Sequence, residues 1–407
     1  MNRLIQALPP FSFARRAGTG ALLALLLGAG PWALASQLTL NLRSDLGYDS
    51  SLFRIDVGDL GKTDSLFLGI RPELRWTPAS SIRITYSAEA ILYFDASEEN
   101  HLRQMLGLNF RQENLTFSTT FTRVDGPSEG VTFAEGRNAW ATLHARTRRP
   151  QWQNRSNLQY VFDLGTVFIR PLASLVYEDL ESRIRPGVAG YDNWIDRYDL
   201  AGGVDIGRDL ENWAFYAGWR YGRQGQGRQG GRLTDRSNKY HRALIGLTGP
   251  LGPRADLRLE VGPAFHRYDD PASPGGRGGD TWYLDGNLRF RVTPQDILTL
   301  VGNIRSSVSS TGLVSSEVRT FSLSHNRKWD DTWSTQIGFS ARALVYAGIT
   351  RKDWLYTTSA SILRDFGADW KGGLHLEHEE GRDRADTGQA SREFSRTLLY
   401  LRFSRAF

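Results

Sequence analysis

The stretch that decides the fold is Leu66-Phe-Leu-Gly-Ile-Arg-Pro-Glu-Leu-Arg-Trp76, followed after a Thr-Pro-Ala-Ser-Ser turn by Ile82-Arg-Ile-Thr-Tyr-Ser-Ala-Glu-Ala-Ile-Leu-Tyr-Phe94. In the first segment Leu66, Leu68, Ile70, Pro72, Leu74 and Trp76 fall on every second position, with Arg71, Glu73 and Arg75 between them. In the second, Ile82, Ile84, Tyr86, Ala88, Ala90, Leu92 and Phe94 alternate with Arg83, Thr85, Ser87 and Glu89. A repeat of two is the period of a strand with unlike faces, not of a helix. The same alternation continues along the chain, for example Ala255, Leu257, Leu259, Val261, Pro263, Phe265 and Trp282, Leu284, Gly286, Leu288, Phe290.

Two architectures produce this pattern: a secreted soluble sheet with one wet face, or a transmembrane barrel with an apolar outside and a polar inside. Three features favour the barrel. The polar faces are densely charged, unlike a packed core. Aromatic residues such as Trp76, Phe94, Trp152, Trp213, Tyr221, Trp282, Trp333, Trp354 and Trp370 gather at segment ends, where interfacial girdles lie. Connections alternate between short (77–81, 111–114, 207–212, 293–296) and long (47–64, 179–196, 222–238, 267–280, 378–392).

Segments begin near 37, 64, 81, 102, 115, 137, 153, 197, 213, 240, 255, 281, 296, 318, 333, 354, 370 and 396. The expectation is an all-β, antiparallel up-and-down transmembrane barrel of about 18 strands, with 16 as the alternative count. The weak point is 153–178. There the apolar parity switches around Asp163-Leu164-Gly165, and the segment reads as one long strand with a bulge, the alternative being two strands here and one fewer elsewhere. The last segment ends on Phe407, with Thr397, Leu399, Leu401 and Phe403 on one parity, the form of a C-terminal signal for the barrel assembly machinery. Arg405 interrupts that parity.

Residues 1–35 read as a cleaved secretory signal. Arg3, Arg15 and Arg16 form the basic region, Ala21–Leu27 the apolar core, and Ala33-Leu34-Ala35 the cleavage site. One barrel domain then covers 36–407. Loss of those three arginines takes the formal charge from +6 to +3, so nucleic acid is not an expected partner. The absence of cysteine excludes disulfides, thiol nucleophiles and thiolate metal sites. The mean hydropathy of −0.40 excludes a helical membrane bundle.

Charge at the bilayer midplane costs about 2–4 kcal/mol for Arg or Lys, so the charged parity must face the lumen. The lumen-lining candidates for ion selectivity are Arg71, Arg75, Arg83, Arg103, Arg155, Arg170, Arg220, Arg242, Arg258, Arg289, Arg291, Arg305, Arg342 and Arg402. Arg111, Arg146, Arg197, Arg396 and Lys371 share that parity. The acids assigned inward are fewer: Glu73, Glu89, Asp199, Asp205, Asp256, Glu260, Asp285 and Glu377. A positive interior favours anions. The plainer alternative is that arginines and acids pair along the wall and leave little selectivity.

No catalytic residues, cofactor or metal are expected. His375 and His378 flank Glu377, but on a strand they point to opposite faces. His144 and His266 read as polar lumen groups. The basic low-complexity loop 222–238 reads as a solvated outer loop, with a mobile constriction or polysaccharide contact as the alternatives.

The opening stretch Asp45-Leu-Gly-Tyr48-Asp49-Ser-Ser-Leu52-Phe53-Arg54, followed by the Phe67–Trp76 strand, resembles β-barrel porin families of Gram-negative bacteria, several of them encoded near exopolysaccharide loci. Ser51 stands where those families carry Asn. The resemblance implies a channel-like protein of the bacterial outer membrane and assigns no active residues. Three functions follow: a passive channel preferring anionic solutes, an export channel for an acidic exopolysaccharide, and a structural or adhesion barrel with a closed lumen. The partners expected are outer-membrane lipid, lipopolysaccharide and, for the exporter, anionic polysaccharide.

Overall fold

The computed structural model describes residues 37–52, 64–126, 150–180, 196–226, 237–269, 279–307, 316–346, 351–384 and 393–407. The signal expected over 1–35 and the strand expected near 137, with His144 and Arg146, lie outside them. The strands are β1 Gln37–Asp49, β2 Ser65–Ala79, β3 Ile82–Tyr93, β4 His101–Gln112, β5 Leu115–Asp125 and β6 Gln151–Tyr160, which Phe162–Asp163 continues beyond Val161. There follow β7 Val167–Leu180, β8 Arg197–Leu210, β9 Trp213–Gln226, β10 Asn238–Pro250, β11 Ala255–Tyr268 and β12 Asp280–Arg291. The last six are β13 Asp296–Ser307, β14 Ser316–Lys328, β15 Trp333–Tyr346, β16 Lys352–Gly367, β17 Trp370–Arg384 and β18 Phe394–Ala406. A single 3₁₀ turn, Ser97–Glu99, is the one helical element among the described residues.

Every strand pairs antiparallel with its sequence neighbours, and β18 returns to β1 from Asn41↔Ala406 to Asp49↔Leu398, closing the sheet. Closure matters because hydrocarbon offers backbone N–H and C=O groups no partner, and only a cylinder leaves no edge. The connections alternate strictly, with short turns and both ends of the barrel on one rim and the longer loops on the other. Side chains shape several of the turns. Asp163 accepts a hydrogen bond from the Gly165 amide (2.9 Å), Asp365 from the Gly367 amide (2.9 Å), and Asp330 from the amides of Thr332 and Trp333 (2.7 Å each).

One correction concerns 153–178. These residues form two strands, not one bulged strand. β6 and β7 face each other from Gln151↔Leu180 to Asp163↔Phe168, and the chain reverses at Leu164-Gly165-Thr166, where Gly165 takes φ +90°. The parity switch records a turn. β5 pairs directly with β6, so nothing stands between them in the wall, and the total remains eighteen. A second correction concerns the loop read over 222–238: Gly222–Gln226 belong to β9, and 227–236 lie outside the described residues.

The outer face carries the apolar parity. Large side chains such as Leu38, Ile245 and Trp282 are about three-fifths exposed, as lipid contact requires. Charges on this face keep to the strand ends. Arg405, which interrupted the terminal parity, lies over the rings of Trp370 (5.1 Å) and Phe407 (4.5 Å) at the short-turn rim. One polar group on the outer wall, Thr119, Asn154 and Ser156, satisfies itself through mutual bonds of 2.8–3.0 Å. A closed antiparallel barrel with such a belt is built for the bacterial outer membrane.

The stretch Gly47-Tyr-Asp49-Ser-Ser-Leu52 works at the seam. A Cβ on Gly47 would lie 2.4 Å from Tyr400 Cβ and 2.9 Å from the Phe67 ring, so only glycine lets these neighbours close over the strand. Leu52 is fully buried with Phe67, Tyr93 and Ala96. Across the junction the guanidinium of Arg396 donates to both oxygens of Asp49 (2.8 and 2.6 Å) and to Glu379 (2.8 Å), all three nearly inaccessible. Arg396→Met leaves two buried carboxylates facing each other without the cation between them. It is expected to destabilise the barrel by about 3–5 kcal/mol, measured by urea unfolding in lipid vesicles. Asp49→Asn in the same chain should recover part of the loss.

Candidate functional site: the inner wall

The ladder sorts the lumen-lining candidates without reference to their chemistry. Arg71 and Arg75 (β2), Arg83 (β3), Arg103 (β4), Arg155 (β6), Arg170 (β7), Arg220 (β9), Arg242 (β10), Arg258 (β11), Arg289 and Arg291 (β12), Arg305 (β13), Arg342 (β15) and Arg402 (β18) all lie on the face opposite the apolar belt. Contacts between strands that are not neighbours identify this face as the interior. Gln224 of β9 donates to the Ser306 carbonyl of β13 (3.2 Å), and only the inside of a cylinder permits that.

Inward carboxylates that escaped the sequence reading include Asp45, Asp49, Glu178, Asp353, Glu379 and Asp383. They stand near strand ends, where alternation merges into loop composition. Arg43 and Arg351 were missed with them. Many bases are therefore tied to the wall. Asp205, fully buried, holds Arg170 (2.7 Å) on one side and Arg220 (2.6 Å) on the other. Glu178 holds Arg197 (2.7 Å) and Asp45 holds Arg402 (2.8 Å). Arg258 lies between Glu260 and Asp285 (3.4 Å each), and Glu73 between Arg71 (3.7 Å) and Arg75 (3.3 Å). Arg351 bridges Asp353 and Asp383 (2.9 Å each).

Among the described residues, Arg83, Arg103, Arg111, Arg155, Arg242, Arg289, Arg291, Arg305 and Arg342 have no carboxylate partner. Arg155, Arg305 and Arg342 form the more informative group. Arg305 feels the charges of Arg155 and Arg197 and, in the opposite sense, that of Asp199, and Arg342 feels those of Arg305 and Arg197. These four residues come from β6, β8, β13 and β15, so they approach one another across the interior, in the half nearer the long loops.

Beside them the wall thickens into a polar shoulder. Tyr240 lies over Gly222 and donates to Asp199 (2.7 Å), whose second oxygen accepts from Gln224 (2.9 Å). Asn238 donates to Gln224 (3.2 Å) and meets His266 Nδ1 (3.1 Å). Arg242 stacks on the rings of Tyr240 (4.2 Å) and Tyr283 (4.9 Å), so its charge stays solvated by π-faces and not by an anion. His375 stacks on Tyr400 inside, while His378 bonds Thr397 on the outer face.

Comparison with known proteins gives no matching family model and no matching curated relative. The barrel is similar to solved outer-membrane proteins at low identity. One is OpdK of Pseudomonas aeruginosa, 11% identical, spanning 91% of this chain and 99% of that one with a TM-score of 0.47. Another is OccK2 (OpdF) of the same organism, solved with glucuronate, at 12%, 92%, 98% and 0.46. A third is an anion-selective porin from Comamonas acidovorans, at 11%, 92%, 99% and 0.39. None transfers a residue role to this chain.

The shoulder makes a steric prediction. A Cβ on Gly222 would fall 2.2 Å from the Tyr240 ring. Gly222→Ala is therefore expected to push the phenol off Asp199 and into the lumen, lowering single-channel conductance in planar bilayers. Gly222→Ala with Tyr240→Ala should restore it.

Proposed function

We propose that this protein is a passive outer-membrane channel whose interior favours small anionic solutes. The observation that carries this reading is the cluster of Arg155, Arg305 and Arg342 on the inner wall, which form no ion pair with a carboxylate among the described residues and in which Arg305 lies within reach of the charges of both others. Paired arginines along the wall present little net field. Unpaired ones in a water-filled, low-dielectric cylinder raise the local concentration of anions and repel cations. Guanidinium groups also suit carboxylate and phosphate through two parallel donors, so solutes bearing such groups gain more than chloride does. A barrel of eighteen strands is of the size that leaves an aqueous path.

The test is reversal potential in a KCl gradient across a planar bilayer. The wild-type channel is expected to pass chloride in preference to potassium. Arg305→Glu with Arg342→Glu should move the permeability ratio toward potassium, while Arg170→Gln, whose charge Asp205 already offsets, should change it little. Absence of conductance, or a ratio unmoved by the double reversal, would overturn the reading.

A further inference from the structure

On the outer face, at the long-loop end of β9, β10 and β11, three cations stand side by side. Arg223 is the register partner of Lys239, and Lys239 of Arg267. Directly below them along the same strands lie Tyr221, His241 and Phe265, again in register. Trp219 and Tyr221 both pack on His241, with centroids 5.2 and 5.0 Å away. Tyr221, Trp219 and Phe265 are each nearly half exposed, as members of an interfacial aromatic belt are. Two residues further along a strand is about 7 Å, and three neighbouring strands span about 10 Å. The cation row therefore lies at head-group depth on the leaflet that faces outside, facing lipid and not the lumen.

Three other outward cations at this rim are neutralised within their own strand: Arg123 by Asp125 (2.7 Å), Arg319 by Glu317, and Arg382 by Glu380 (2.8 Å). In the row, Asp269 takes Arg223 (3.0 Å), while Lys239 and Arg267 are exposed and carry no ion pair among the described residues. Asp280, one step below beside Phe265, is the other carboxylate close by among the described residues. The comparable row on the outer half of the wall is the pair Lys352↔Arg384, which has no third cation in register among the described residues, Val345 being the other neighbour of Lys352.

From this we infer a lateral binding site for the phosphorylated glycolipid head group of the outer leaflet, with Lys239 and Arg267 as the phosphate ligands, Arg223 as a third cation released from Asp269 on binding, and the Tyr221–His241–Phe265 shelf against the acyl–sugar boundary. Charge complementarity and the depth set by the aromatic shelf both favour this occupant. The site is independent of the channel reading, because none of its residues faces the lumen.

The experiment is native mass spectrometry of the full chain in detergent, titrated with bisphosphorylated lipid A, with dephosphorylated lipid A and with phosphatidylglycerol. The wild type is expected to retain bisphosphorylated lipid A in preference to both controls. Lys239→Gln with Arg267→Gln should weaken that retention roughly tenfold to thirtyfold, each single change giving roughly fivefold, with heat-modifiable migration and ion selectivity unchanged. If the double variant does not fold, the single variants carry the test. Equal retention by wild type and variant, or equal affinity for phosphatidylglycerol, would overturn the site.

Discussion

The constraint on which the structure depends is that a peptide group in hydrocarbon must find its hydrogen bond within the protein. For strands, this means the first must meet the last. Here the junction is made by backbone pairing along β1 and β18 and then pinned by side chains far apart in sequence: Arg402 to Asp45, Arg396 to Asp49, and Thr397 N–H to the Ser50 hydroxyl. Once the cylinder is closed, parity does the rest. Each strand must turn one set of side chains to lipid and the other to the interior. A single charged residue at mid-height fixes the choice for its whole strand.

The interior is consequently crowded with ionisable groups, and their arrangement separates charges paired in the wall from those without a carboxylate partner among the described residues. Asp205 between Arg170 and Arg220, and Arg396 between Asp49 and Glu379, are shared ions that tie three neighbouring strands together. Such charges are consumed by the wall. Aromatic rings laid over glycines, Tyr240 on Gly222 and Tyr216 on Gly246, span an intervening strand to reach Asp199 and Glu260 and stiffen the same side of the barrel. Arg155, Arg305 and Arg342 have no such partner among the described residues, and the proposed anion preference rests on them.

Much of this was legible in the sequence because its physical cause is local. Alternation on β2, β3, β11 and β12 needs only the strand period and the cost of charge in lipid, and most of the predicted starts fall within two residues of those in the structure. Errors arose where the cause is not local. At Asp163-Leu164-Gly165 a bulge and a tight turn give the same parity switch; the Asp-x-Gly spacing, with Asp163 accepting from the Gly165 amide, was the available signal for the turn. Asp49 and Glu379 were missed because what buries them is Arg396, whose link to Asp49 spans 347 positions of the chain. The approach of Arg155 to Arg305 depends on the curvature of the closed sheet, which no local pattern encodes. The cations outside the barrel were hidden by an assumption that charge belongs in the lumen, which holds at mid-height and fails at the rim.

The chain has no cysteine, so accessibility can be read one position at a time. The direct test is to place single cysteines along β12 at Leu284, Asp285, Gly286, Asn287, Leu288 and Arg289 and expose intact outer membranes to a small charged thiol reagent. Labelling at Asp285, Asn287 and Arg289 with protection at Leu284, Gly286 and Leu288 is the result the account predicts. Labelling of the leucine parity, with protection of the other, would mean that the barrel does not sit in lipid with this face outward, and the account would fail.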